Sequence, residues 1–154
     1  MLAANDPGAT DWLPGVAVVA DRLPDAGGLG GVDAVLASGS DALIVAWDMP
    51  FVTVDVLRVI VDRARRASAD VVVPQSESPF GFEPFCAFYS ARAGAPLSRF
   101  LAAGGRAPSD FLARLTRVER IPQAELPGDA RRLFLSVNTP EDLATARAAA
   151  ERGT

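Results

Sequence analysis

The most constraining feature of the chain is a continuously apolar, β-rich run, Leu43-Ile44-Val45-Ala46-Trp47, that stops abruptly at Asp48-Met49-Pro50. Such a run is expected to form a strand buried on both faces of a largely parallel sheet, because a strand with one solvated face would alternate polar and apolar residues. Short β-rich runs alternate with helical patterns along the rest of the chain. The expectation is therefore one α/β domain, residues 1–154, with three layers and a Rossmann-like, mostly parallel sheet.

The flanking segments support this reading. Residues 16–20 and 71–74 read as strands, and 85–89 as a further strand that can pair antiparallel. A helix follows Gly31, with Val32, Val35 and Leu36 on one face and its end near Gly39. Thr53 is the expected N-cap of another, in which Val56, Leu57, Ile60, Val61 and Ala64 recur at helical spacing. Short helices are expected at 97–102 and 109–115, and short strands at 118–121 and 133–135. In the last helix Thr139 caps, Pro140 takes the first position and Glu141 and Asp142 occupy the positive first turn. Its inward face is expected to carry Leu143, Ala146 and Ala150.

Composition narrows the chemistry. The 154 residues are 49% hydrophobic, enough for a real core, yet no apolar run is long enough to span a membrane. A formal net charge of -4 and no basic patch argue against nucleic acid as a partner. Histidine is absent, which excludes Ser-His-Asp and Cys-His catalysis and any His-ligated zinc. Carboxylates, amides, backbone N–H groups and a hard metal such as Mg²⁺ remain. The one cysteine, Cys86, reads as a buried small hydrophobe, and it suits a reducing, cytosolic compartment.

Three segments can carry that chemistry. Asp48 follows a buried strand and falls at its carboxyl end, where open α/β sheets place ligands; an ordinary turn aspartate is the alternative. Asp25-Ala26-Gly27-Gly28-Leu29-Gly30-Gly31 puts four glycines ahead of a helix, which suits either close approach to a ligand or a plain surface turn. Asn138 sits between an expected strand and a capped helix, where its amide can meet a phosphate or simply stabilise the turn.

Taken in order, Gly27–Gly31, Val45-Ala46-Trp47-Asp48-Met49-Pro50-Phe51, Glu83-Pro84-Phe85-Cys86-Ala87-Phe88-Tyr89 and Val137-Asn138-Thr139-Pro140-Glu141-Asp142-Leu143 resemble the molybdenum cofactor guanylyltransferases. The resemblance runs from about Ala3 to the last helix. It implies transfer of GMP from GTP to the terminal phosphate of molybdopterin, with release of pyrophosphate and use of Mg²⁺. By the same resemblance Asp48 is the residue that binds metal and nucleotide phosphates, and Asn5 and Asp21 belong to the nucleotide site. Gly30 and Gly31 fall in the turn linked to guanine recognition, and Asn138 and Ser136 lie on the acceptor side.

The chain also departs from the pattern. Ser136 replaces an asparagine, Gly28 stands where a proline is usual, and the strand, glycine-rich loop with Arg and Lys, and helix that open the family are absent. That unit amounts to roughly 30 or more residues. It is expected to lie upstream of Met1, a short homologue without catalysis being the other explanation. Without it two strand edges should be exposed, inviting self-association and leaving the chain weakly active or inactive. Cytidylyl transfer to the same acceptor, or a non-catalytic nucleotide-binding or partner module, are the alternative functions.

Overall fold

The computed structural model describes residues 1–151. Its elements follow the order β1 (Leu2–Ala3), β2 (Val18–Val19), α1 (Gly28–Leu36), β3 (Ala42–Val45), α2 (Val54–Ala67), β4 (Val71–Pro74), β5 (Cys86–Tyr89), α3 (Gly94–Ala102), α4 (Pro108–Leu112), β6 (Val118–Ile121), α5 (Ala130–Leu133) and α6 (Pro140–Glu151). A four-stranded sheet has the order β3-β5-β4-β6, and β1 and β2 form a separate parallel pair. Strand β5 runs antiparallel to β3 and β4, while β6 is parallel to β4, so three of the four strands share one direction.

Strand β4 shows what organises the layers. It lies between β5 and β6, and Val71, Val72, Val73 and Pro74 are all buried. Successive side chains of a strand point to opposite faces. Val71 and Val73 therefore join Leu29, Val32, Leu97 and Phe111 on the α1, α3 and α4 side, while Val72 joins Val56 and Ile60 of α2 on the other. This is the expected three-layer arrangement. The sequence at α2 is amphipathic for that placement, and Thr53 caps it by accepting the Val56 N–H at 3.4 Å.

Several elements differ from expectation. The run 43–47 is not buried on both faces. Among the described residues β3 pairs only with β5 and no helix covers its odd-numbered face, leaving Leu43, Val45 and the following Trp47 exposed at 36%, 42% and 89%. Residues 133–135 are not a strand. Asp129 accepts the Arg131 N–H and starts the short helix α5, whose Leu133 packs into the α2-side core. The strand expected over 16–20 shrinks to the two residues of β2. On α6 only Ala146 is buried, with Leu143 and Ala150 exposed, because the helix lies against a shallow groove instead of the core.

Candidate functional site

At the end of β3 the chain turns, and Asp48 is held there by backbone. Its carbonyl accepts the Val137 N–H at 2.8 Å, which ties the segment before α6 to the mouth of the sheet. Asp48 borders two depressions. The larger, about 700 Å³, runs between β1 and β3 over α1, and Asn5, Asp21, Gly31, Ser136 and Glu83 also line it. The smaller, about 400 Å³, lies between the β3 end and α6 and includes Trp47, Phe51, Leu143 and Arg147.

Asn5 and Asp21 come together, although 16 residues separate them, because the Asn5 side-chain oxygen accepts the Asp21 N–H at 2.8 Å. Parallel pairing of β1 with β2 brings both segments to the same end. The two glycines divide their work. A Cβ on Gly30 would lie 2.5 Å from an Asp21 carboxylate oxygen and 2.8 Å from the Ala26 Cβ, so Gly30 leaves room for the carboxylate to settle on α1. Gly31 borders the groove, where a Cβ would stand 3.2 Å from that of Ala3. Asn138 lines neither depression; its N–H donates to Asp142, part of a reciprocal cap in which Thr139 Oγ1 accepts the Asp142 N–H.

Sequence reasoning alone does not single out Glu83 as a site residue. It is 6% exposed, precedes β5 and opens onto the same groove. Burial pushes its carboxyl above the usual range, the Ser76 and Ser78 hydroxyls pull the other way, and the charge of Asp48 adds to the rise. The available signal is topological: if residues 85–89 pair antiparallel with 43–47, the start of one strand meets the end of the other. Cys86, by contrast, is buried as expected, with its thiol pushed up to about 12 by burial.

Among the described residues no three acidic, histidine or cysteine side chains gather as a metal-binding cluster. Asp48, with Glu83 close enough to feel its charge, is a donor set of one or two carboxylates. That is what Mg²⁺ commonly uses when substrate phosphates complete its shell. Every basic side chain in the chain is an arginine; lysine is absent.

The fold is shared with a solved relative. The molybdopterin-guanine dinucleotide biosynthesis protein A from Archaeoglobus fulgidus superposes with a TM-score of 0.79 at 26% identity, over 97% of this chain and 77% of that one. Fold and relatives together define a nucleotidyltransferase. The chain belongs to the MobA-like NTP transferases, whose family model matches residues 1–119. It is 33% identical to a probable molybdenum cofactor guanylyltransferase of Chloroflexus aggregans, over 93% of this chain and 69% of that protein. A protein of the same name from Thermococcus gammatolerans is 33% identical over 84% of this chain and 65% of its own length. The chain thus spans about two thirds of these relatives. Among the described residues no helix is long and apolar enough to cross a membrane.

Proposed function

We propose that the chain carries the metal-binding and acceptor sides of a guanylyltransferase that joins GMP to molybdopterin. The observation that carries this reading is Asp48, which opens onto one groove together with Asn5, Asp21, Gly31 and Ser136 in a chain of this family. In the reaction, an oxygen of the terminal phosphate of molybdopterin bonds to the α-phosphorus of GTP. The bond from that phosphorus to the α,β-bridging oxygen breaks, and pyrophosphate leaves with the electron pair. The attacking phosphate is already ionised, so no general base is needed, in keeping with a chain that has no histidine.

Asp48 would hold Mg²⁺, which when bound neutralises charge on the phosphates. The Asn5–Asp21 hydrogen bond fixes the loop after β2 beside α1. Gly31 keeps the groove wall low enough for a nucleobase to lie against backbone. Ser136 offers a hydroxyl on the acceptor side, and Asn138 is one residue from the link between Val137 and Asp48. The expected location is the cytosol.

The test is transfer of labelled GMP, in a chain extended at its N-terminus by the strand, glycine-rich loop and helix of a curated relative. Incorporation from GTP with Mg²⁺, lowered by about 10²–10³ in Asp48→Asn with the fold intact, is expected. Preference for CTP would make the enzyme a cytidylyltransferase. Absence of transfer from either nucleotide would leave a binding module. Near-normal turnover in Asp48→Asn would remove that residue from the mechanism.

A further inference from the structure

Helix α1 sends Leu29, Val32 and Leu36 into the core, yet it also buries a carboxylate, Asp33, to 2% exposure. A buried carboxylate must be paired, and such a pair adds little net stability because desolvation offsets the attraction. Its effect is to fix geometry. Asp33 has partners on two other segments. The Ser98 hydroxyl of α3 donates to one carboxylate oxygen. The Arg22 guanidinium, from the loop after β2, donates to the other at 3.4 Å and to the Ser98 oxygen at 3.4 Å.

Arg22 follows Asp21 directly. Asp21 borders the larger groove, whereas Arg22 does not border it and reaches back between α1 and α3. Three features therefore locate the Asp21 carboxylate. Asn5 holds its N–H, Gly30 leaves room for it, and Arg22 anchors the chain one residue later. The far end of the loop has its own clip. Asp25 adopts φ 53°, a left-handed conformation that residues with a side chain rarely take. Its carbonyl accepts Arg106 Nε at 2.7 Å, and Arg106 Nη1 donates to the Leu101 and Gly105 carbonyls at 3.0 and 2.7 Å. Helix α3 and the turn after it thus hold the loop at both Arg22 and Asp25.

We propose that Asp33 is a positioning residue for the nucleotide site. With Ser98 it holds Arg22, and through Arg22 it sets where the Asp21 carboxylate stands. The inference rests on the reading that Asp21 meets the nucleotide. It brings in α3, none of whose residues borders the groove.

Asp33→Asn is the informative change. It keeps the size of the side chain and an oxygen for Ser98, removes the charge that holds Arg22, and leaves no buried ion unpaired. The first readout needs no nucleotide. The side-chain amide resonances of Asn5, whose oxygen accepts the Asp21 N–H, should move in Asp33→Asn. The second is GMP transfer by the chain extended as above. The KM for GTP should rise about fivefold in Asp33→Asn with kcat little changed. Arg22→Met should match it, and Arg22→Lys, which restores a cation, should recover most of the loss. The double variant Asp33→Asn with Arg22→Met should be no worse than either single one, because the two side chains act as one unit. If Asp33→Asn does not fold, Arg22→Met against Arg22→Lys carries the same comparison. A merely structural role would lower the melting temperature and leave KM alone. Unmoved Asn5 resonances, or an unchanged KM in Asp33→Asn and Arg22→Met while Asp21→Asn raises it, would overturn the inference and leave the reading of Asp21 standing. No transfer at all, or an unchanged KM in Asp21→Asn, would overturn that reading and the inference with it.

Discussion

Glu83 and Asp48 place two carboxylates at one end of the sheet, and their burial differs. The folded-state pKa of Glu83 is raised, chiefly by burial. A carboxyl of this kind binds its proton more tightly folded than unfolded, so stability falls as pH rises from its unfolded toward its folded pKa. Above that window the buried charge is a standing cost. Glu83→Gln should therefore raise the melting temperature at pH 7 relative to the parent, and the advantage should vanish near pH 4. Thermal scans at the two pH values read this directly, and an equal effect at both would mean that the charge is irrelevant. At Gly30 the limiting factor is space. Gly30→Ala drives a Cβ into the Asp21 carboxylate and Ala26, and should cost about 1–3 kcal/mol in urea unfolding. Gly31→Ala, whose nearest neighbour is the Ala3 Cβ at 3.2 Å, should cost less and weaken GTP binding instead. Asp48 is legible in the sequence because a carboxylate after an apolar strand has a position as well as a chemistry. Glu83 is not, because its meaning depends on which strand lies beside β3.

Strands β3 and β4 separate what a hydrophobic pattern says from what a neighbour decides. Leu43–Val45 and Val71–Val73 are alike as strings, and both read as strands, the first expected to be buried on two faces. Only β4 is flanked on both edges and covered on both faces. Val72→Ala should accordingly cost about 2–3 kcal/mol through lost burial and the cavity it leaves. Leu43→Thr on the exposed edge should stay within about 0.5 kcal/mol. Denaturant melts of the two variants would settle the contrast, and comparable losses would mean that β3 is covered in solution. The same physics accounts for the other elements. Helices α2 and α6 are legible because their caps are local: Thr53 with Val56, and Thr139 with Asp142. Residues 133–135 mislead because three apolar side chains suit a strand equally well, and the deciding contact is Asp129 upstream. On α6 the spacing gives the right direction, since Leu143, Ala146 and Ala150 all border the smaller depression, but not the depth: only Ala146 is buried.

At the scale of the molecule, the field in the groove decides what the chain alone can bind. A nucleoside triphosphate needs positive charge and many N–H donors. The larger groove presents Asp21, Asp48 and Glu83, and among the described residues no arginine borders it. Arg147 borders only the smaller depression, on the far side of Asp48. Without a metal the carboxylates would repel a triphosphate; with Mg²⁺, a single ion on one or two carboxylates would have to offset the whole charge of the nucleotide. The family and the architecture are legible because they depend on strands, caps and short motifs that survive in this chain. The groove is not, because it depends on how far apart β1 and β3 come to rest over α1, which no short motif encodes. The chain of residues 1–154 should therefore bind Mg-GTP weakly, with Kd at or above roughly the millimolar range, where affinity amounts to about 4 kcal/mol. Titration calorimetry with Mg-GTP measures this directly. Micromolar binding by the chain alone would show that Asn5, Asp21, Asp48 and the start of α1 already make a complete nucleotide site.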